Sequence, residues 1–187
     1  MNEEREARVM SEVAEGNISA FREIVELHQK SLLNFISRFT GDKIVAEDIA
    51  QEVFLKVYLA AGSYVPKSKF RTWLFRIATN HCLNHLRDNK CNTQTLDLFE
   101  LNEAGFIAIA PDNYCPEKIC EKKELSQIVQ TAIINLPQKQ QVAILLQKYD
   151  RFSYKEISQV LGCSVSAVES LIQRARQNLR KTLASTL

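Results

Sequence analysis

Polar side chains that can read DNA are concentrated near the end of the chain, between Ser153 and Lys181. The first part of this stretch carries apolar Ile157 and Val160 on one helical face, and Gly162 follows where a left-handed turn residue suits a helix end. The second part repeats apolar residues three or four apart and leaves Ser, Glu, Gln and Arg on its other face. Ser, Gln and Arg can hydrogen-bond base edges in the major groove. The stretch therefore predicts a helix-turn-helix, with a plain helical hairpin in a bundle as the alternative.

A second set of side chains could bind a metal or react as thiols. His81 and His85 are four residues apart on one helical face, with Cys82 between them, which is half of a zinc site. No CxxC motif and no third ligand with matching spacing accompanies them, so we predict no metal and no cofactor. A redox-responsive disulfide or a metal clip remains open for three further cysteines: Cys91, Cys115 and Cys120.

Composition bounds the fold class. The 187 residues are 45% hydrophobic and include only 5 Gly and 4 Pro, which favours a mostly helical protein with a core. The five cysteines are expected to be reduced thiols. Residues Met1–Asn17 are charged rather than apolar, and no apolar run approaches the roughly 20 residues that span a bilayer. We therefore expect a cytoplasmic protein without direct membrane insertion.

Charge alternates along the chain although the net charge is only +2. Residues 64–90 hold six Lys or Arg and one acid, whereas residues 91–124 hold seven acids and three bases. Such blocks are typical of a protein with one surface for nucleic acid and another for a different partner.

Helical patterns divide the chain into two parts. Residues 1–90 predict an α-helical bundle, with Asp42 and Gly41 as helix caps and helices over Asn2–Glu15, Ser19–Phe39, Lys43–Ala61 and Ser68–Arg87. Residues 91–115 are polar and predict a flexible linker. Residues 116–187 predict a second helical domain, with helices over Pro116–Asn135 and Gln138–Tyr149 before the helix-turn-helix. The predicted fold class is all-α, with two small domains.

Three segments in this order resemble the extracytoplasmic-function (ECF) sigma factors, the minimal members of the bacterial sigma-70 family. AEDIAQEVFLKVY, residues 46–58, is similar to region 2.2 of the family, and KFRTWLFRIATNHCLNHLR, residues 69–87, resembles regions 2.3 and 2.4. Residues 136–181, from LPQKQQ to QNLRK, resemble region 4. The resemblance covers nearly the whole chain. It implies a sigma-2-like bundle over 1–90 and a sigma-4-like domain over 116–187.

The resemblance to region 2.2 implies a surface for core RNA polymerase, including its β′ subunit. In the family this helix docks on a coiled coil of that subunit. A solvated helix face is the alternative for such charges. The residues that match the docking surface are Glu47, Asp48, Gln51, Glu52 and Lys56.

The resemblance to regions 2.3 and 2.4 implies recognition and opening of the −10 promoter element. Lys and Arg can hold phosphates, and Asn can read an exposed base edge. Trp73 follows the buried spacing, whereas Phe70 fits either core or base stacking. Asn84 stands where many members have Asp, and it could alter promoter choice. The implied −10 residues are Lys67, Lys69, Phe70, Arg71, Arg76, Asn80, Asn84 and Arg87.

The resemblance to region 4 implies recognition of the −35 element by the second helix of the turn motif. Glu169 and Leu171 depart from the frequent Lys or Arg, so the −35 sequence is not implied. The positions that match base contacts are Glu169, Ser170, Gln173 and Arg174. Side chains better placed for phosphates are those of Tyr154, Lys155, Ser164, Ser166 and Arg176.

The implied function is an alternative sigma factor rather than an enzyme. Its partners would be core RNA polymerase through the β and β′ subunits, promoter DNA and an anti-sigma factor. One alternative is a helix-turn-helix regulator that binds duplex DNA without polymerase, but the predicted docking helix in the first domain has no use in such a protein. A thiol or zinc redox switch enzyme is a second alternative, and it lacks a defined Cys/His cluster.

Overall fold

The computed structural model describes residues 3–65, 68–92 and 116–186, and every regular element in these ranges is helical. The predicted all-α class is confirmed. We call residues 3–92 the front unit and residues 116–186 the rear unit. The elements in chain order are α1 (Glu3–Ala14), α2 (Ile18–Thr40), α3 (Lys43–Leu59), a 3-10 helix η1 (Ala61–Ser63), α4 (Phe70–Asn92), α5 (Pro116–Ile134), α6 (Gln138–Lys148), α7 (Tyr154–Leu161) and α8 (Val165–Thr186).

Capping residues set the ends of the helices that carry the predicted surfaces. Gly41 ends α2 at φ +79°, a left-handed conformation that glycine adopts without steric cost. The side chain of Asp42 then accepts hydrogen bonds from the backbone N–H groups of Ile44 and Val45, at 2.7 and 3.2 Å. These bonds satisfy donors that the first turn of α3 leaves free. Both caps agree with the sequence prediction.

The core of the front unit lies between α2, α3 and α4. Aromatic rings dominate it: the ring centres of Phe35 and Phe75 are 5.3 Å apart, and both side chains are fully buried. Tyr58 lies at the edge of the buried stripe of α3, with its ring 5.1 Å from that of Phe21. The face of α3 opposite its buried stripe is open to solvent.

The two units pack against each other in this structure. Helix α7 contacts α4, and α5 and α6 contact α2. The rings of Phe75 on α4 and Phe152 before α7 are 5.0 Å apart, and buried apolar side chains of both units form one continuous cluster. The predicted linker, residues 91–115, falls almost entirely outside the described residues, and the division at residues 90 and 116 stays a prediction.

Candidate polymerase-binding and promoter-binding surfaces

The outer face of α3 carries all five residues predicted to bind core polymerase. The buried stripe of this helix consists of Ala46, Ile49, Ala50, Val53, Phe54 and Val57. Because this stripe packs inward, the remaining side chains project outward. Glu47, Asp48, Gln51, Glu52 and Lys56 are all exposed. Glu52 Oε2 also lies 3.3 Å from His81 Nδ1 on α4, which ties one edge of the face to the next helix.

Three large apolar side chains lie on the same face of α3. Leu55 and Leu59 are 59% and 74% exposed, and Ile44 is 74% exposed. With Asp48 and Gln51 they follow a spacing of three or four residues, so they form one stripe along the helix. These three residues were not among the predicted polymerase-binding residues, although apolar residues off the buried stripe were the available signal. An exposed apolar stripe with a charged rim has the anatomy of a protein-binding surface.

Helix α4 presents a row of polar side chains predicted to meet the −10 element. Arg76, Asn80, Asn84 and Arg87 are exposed and follow one another three or four residues apart. Arg87 Nη2 donates a hydrogen bond to Asn84 Oδ1. Asn80, Asn84 and Arg87 line an open cleft of about 710 Å³. Lys56 and Leu83 of the front unit and Gln138 of the rear unit complete its lining. Such a cleft can hold a strand through phosphates and base edges.

Phe70, whose spacing fitted either the core or base stacking, lies in the core. Its side chain is 1% exposed, and its ring packs against those of His28, Tyr64 and Trp73 at 5.1 to 6.0 Å. A base therefore has no open ring face there in this structure. Trp73 is half-buried against the core, as its spacing predicted. Lys67, the remaining predicted −10 residue of the preceding loop, lies outside the described residues.

Helices α7 and α8 form the predicted helix-turn-helix. The Ser153 side chain accepts from the Glu156 N–H, and Glu156 accepts in return from the Ser153 N–H at 2.8 Å, a capping box that starts α7. Gly162 ends α7 at φ +63°, and Ser164 Oγ then accepts from Ala167 N at 3.2 Å to start α8. The buried face of α8 carries Val168, Ile172 and Ala175. Val165, the first residue of α8, is 41% exposed.

The residues predicted to contact the −35 element lie on the outer side of this motif. Tyr154 is half-buried and its hydroxyl accepts from Gln147 Nε2 at 3.2 Å, whereas Arg176 Nη2 donates to Gln147 Oε1 at 3.2 Å. These two are therefore held against α6. Apart from Tyr154, every member of the set is exposed: Lys155, Ser164, Ser166, Glu169, Ser170, Gln173, Arg174 and Arg176.

Comparison with known proteins gives these surfaces a family. Residues 24–91 match the family model of Sigma-70 region 2, and residues 126–179 match that of Sigma-70 region 4. The ECF RNA polymerase sigma factor SigW of Bacillus subtilis is 34% identical over 93% of this chain and 94% of its own length. The chain is an extracytoplasmic-function sigma factor.

Further relatives agree with this assignment. RNA polymerase sigma-H factor of Pseudomonas aeruginosa is 32% identical over 100% of this chain and 98% of its own. The solved structure of CnrH in complex with the cytosolic domain of CnrY has a TM-score of 0.71 at 25% identity, and covers 96% of this chain and 97% of CnrH. The chain is thus an alternative sigma factor that works with RNA polymerase, and the reading as a regulator independent of polymerase is not favoured.

The sigma factor also pairs charges across its two units. Arg71 Nη2 on α4 lies 3.3 Å from Asp150 Oδ1 at the end of α6, and Lys69 Nζ lies 3.2 Å from Glu156 Oε1. Burial raises the pKa of Asp150 to about 6, against the opposing charges of Arg71 and Arg38. Desolvation also acts to raise the pKa of Glu156, but hydrogen bonds from Ser153 and the charge of Lys69 hold it below its usual value.

The raised pKa of Asp150 predicts that the contribution of this one group to the free energy of unfolding rises as the pH falls through about 6. The cost of ionised Asp150 is fully present above the folded pKa of about 6 and is lost as the pH falls through that value toward 3.8. Relative to Asp150→Asn, the wild-type free energy of unfolding should rise by about 1 to 1.5 kcal/mol between about pH 7.5 and pH 5. Urea titrations of both proteins measure this difference, and parallel pH profiles would contradict it.

The structure describes the side chains of two cysteines, neither of them in a disulfide. Cys82 is buried, and burial raises its thiol pKa to about 12, whereas Cys163 is half-buried near the turn. Cys91, Cys115 and Cys120 fall outside the side chains that the structure describes. Within residues 3–65, 68–92 and 116–186, no three His, Cys, Asp or Glu side chains are arranged to hold a metal ion, and no helix has the length and apolar character needed to cross a membrane.

Proposed function

We propose that three separate faces divide the work of this sigma factor. The outer face of α3 binds core RNA polymerase, the exposed row of α4 holds the −10 element, and the outer face of α8 reads the −35 element. The observation that carries this proposal is the exposure of the polar residues of each face on an element whose other side is buried. Each face can therefore meet its partner without unfolding the helix that carries it.

The α3 face is suited to a protein partner. Leu55 and Leu59 offer an apolar centre, and Asp48, Gln51 and Glu52 offer polar contacts around it. Burying apolar area gives association most of its free energy, whereas rim charges fix the partner's orientation. We assign this face to the β′ subunit of core polymerase, with the β subunit as a further partner of the sigma factor.

The α4 face is suited to a strand that has left the duplex. Taking a base out of the stack costs a few kcal/mol, which contacts to the extruded strand must offset. Asn80 and Asn84 can hydrogen-bond a base edge, and Arg76 and Arg87 can hold phosphates on either side. Lys69, just before the same helix, and Arg71, in its first turn, add two cations.

The α8 face is suited to the major groove of duplex DNA. The helix presents Ser170, Gln173 and Arg174 from successive turns, and Arg can bind a guanine edge through two hydrogen bonds. Lys155 is exposed at the start of α7, and we assign it to a DNA phosphate. Glu169 can accept a hydrogen bond from the amino group of cytosine. It would therefore favour cytosine at the base that it contacts, whereas a lysine at the same position would favour guanine.

Regulation and location follow from the same assignment. Members of the family are initiation factors, and we propose that this chain likewise has no catalytic role and acts in the cytoplasm, where polymerase and DNA are found. The sigma factor RpoE of Bartonella quintana, solved with the anti-sigma factor NepR, has a TM-score of 0.66 and 25% identity over 88% of this chain and 96% of that one. We propose that an anti-sigma factor controls this chain too.

Selection from a promoter library tests the division of labour. Core polymerase is combined with the purified protein and a library randomised upstream of a fixed transcribed region, and the templates that yield transcripts are sequenced. Two enriched elements, near −10 and −35, are the expected result. Enrichment of one element alone would show that only one of the two DNA-binding faces selects promoters. Transcription without any enriched element would refute promoter recognition altogether.

A further inference from the structure

The turn between α6 and α7 contains an arginine in the left-handed backbone conformation. Arg151 has φ +55°, and of the residues that the structure describes it is the one non-glycine residue with a positive φ. The turn uses this conformation to end α6, and the Phe152 N–H then donates to the Leu146 carbonyl at 3.0 Å. A residue with a Cβ is strained there, whereas glycine adopts the conformation freely. Glycine would therefore serve the turn better than arginine does.

The side chain of Arg151 makes no contact that offsets this strain. It is exposed, and within the described ranges its guanidinium takes part in no hydrogen bond, ion pair or ring contact. Its two neighbours in the chain do the packing instead: Asp150 pairs with Arg71 at 3.3 Å, and the ring of Phe152 lies 5.0 Å from that of Phe75. Strained residues of this kind are concentrated at functional sites. The fold thus accounts for the conformation at this position but not for the arginine.

The charge around Arg151 indicates the kind of partner that the side chain suits. Residues 148–155 contain three cations, Lys148, Arg151 and Lys155, and all three are exposed. The one acid in this segment, Asp150, is only 7% exposed. Neighbouring cations repel one another, and a surface that carries them without exposed acids attracts a polyanion. The segment therefore presents a positive strip that leads into α7.

We propose that Arg151 binds a backbone phosphate of the promoter duplex beside the −35 element. Arg151 comes just before α7, the first helix of the helix-turn-helix, and in docked motifs of this class the first helix crosses the DNA backbone. Lys155, which we assign to a phosphate, lies in the first turn of the same helix. An arginine holds a phosphate through paired N–H donors and reads no base. The proposal rests on the assignment of α7 and α8 to the −35 element made above.

Two substitutions at the same position separate the charge of Arg151 from its backbone strain. Arg151→Gly removes the cation and relieves the strain, whereas Arg151→Ala removes the cation and keeps the Cβ. The glycine variant should melt about 2 to 4 °C above the alanine variant. Holoenzyme containing either variant should bind a selected promoter about three- to tenfold more weakly than wild type, whatever the −35 sequence, with a salt dependence lower by about one counterion. Arg22→Ala, at an exposed arginine of α2 that we assign to no interface, is the charge-matched control and should bind like wild type.

Neutral methylphosphonate linkages, placed one at a time through the −35 region, locate the phosphate. At one linkage the wild-type holoenzyme should lose about the same factor in affinity, and Arg151→Gly should lose nothing further. Equal losses in wild type and Arg151→Gly at every linkage would overturn the proposal, as would a loss of affinity for core polymerase without any change in salt dependence. Wild-type holoenzyme that selects no promoter would refute the proposed function itself. A selected promoter that wild type and both Arg151 variants bind equally would overturn only the role of Arg151.

Discussion

Replacing Asp48 by lysine is expected to weaken the binding of core RNA polymerase by about 30-fold, or roughly 2 kcal/mol. Asp48 is exposed on α3 between the apolar side chains of Ile44 and Leu55 and beside Gln51. A partner that covers this stripe desolvates the carboxylate, and a lysine there would present the opposite charge to groups arranged for an acid. Surface plasmon resonance with immobilised core polymerase measures the change.

The control for Asp48→Lys reverses a charge elsewhere. Glu26→Lys changes the net charge by the same amount on α2, at a position that we assign to no interface. It should leave the affinity for polymerase within about twofold of wild type, because a remote exposed charge contributes little. Equal losses in both variants would mean that net charge, rather than the α3 face, governs the association.

Arg174→Ala is expected to relax the choice of base at one position of the −35 element, at a cost of about 2 kcal/mol on the preferred sequence. Arg174 is exposed on the face of α8 that we assign to the major groove. Its guanidinium can bind one base edge through two hydrogen bonds, so its loss matters most where that base is present. Affinities of the holoenzyme for promoters with each base at each −35 position measure the effect.

Lys155→Ala is the comparison for Arg174→Ala. Lys155 is exposed at the start of α7, where we expect a phosphate rather than a base. Its removal should weaken binding by a similar factor on every promoter and lower the salt dependence by about one counterion. A base-dependent loss in Lys155→Ala, or a uniform loss in Arg174→Ala, would show that the two roles are wrongly assigned.

Local sequence patterns were enough to predict most helices and their caps. Asp42 and Gly41 act through hydrogen bonds and backbone conformation within a few residues, so their types and spacing carry the information. The capping box of Ser153 and Glu156 shows the same kind of local control, although only its result, a helix starting there, was predicted. The exposed polar faces of α3 and α8 followed because helical spacing separates them from the buried stripes.

Contacts between the units could not be predicted in this way. Arg71 and Asp150 are 79 positions apart, and no local pattern records that they meet. Phe70 shows the same limit, since its spacing fitted both core and surface, and packing against Tyr64 and Trp73 decides the outcome. No local pattern marks Asp150 as a buried acid, yet burial raises its pKa to about 6.

Specific transcription by core RNA polymerase tests the central claim most directly. Core polymerase and the purified protein are incubated with a selected promoter template, and the transcripts are mapped to single-nucleotide resolution, with core polymerase alone as the reference. The account predicts transcripts from one defined start site only when the protein is present. Identical transcripts with and without the protein would contradict it.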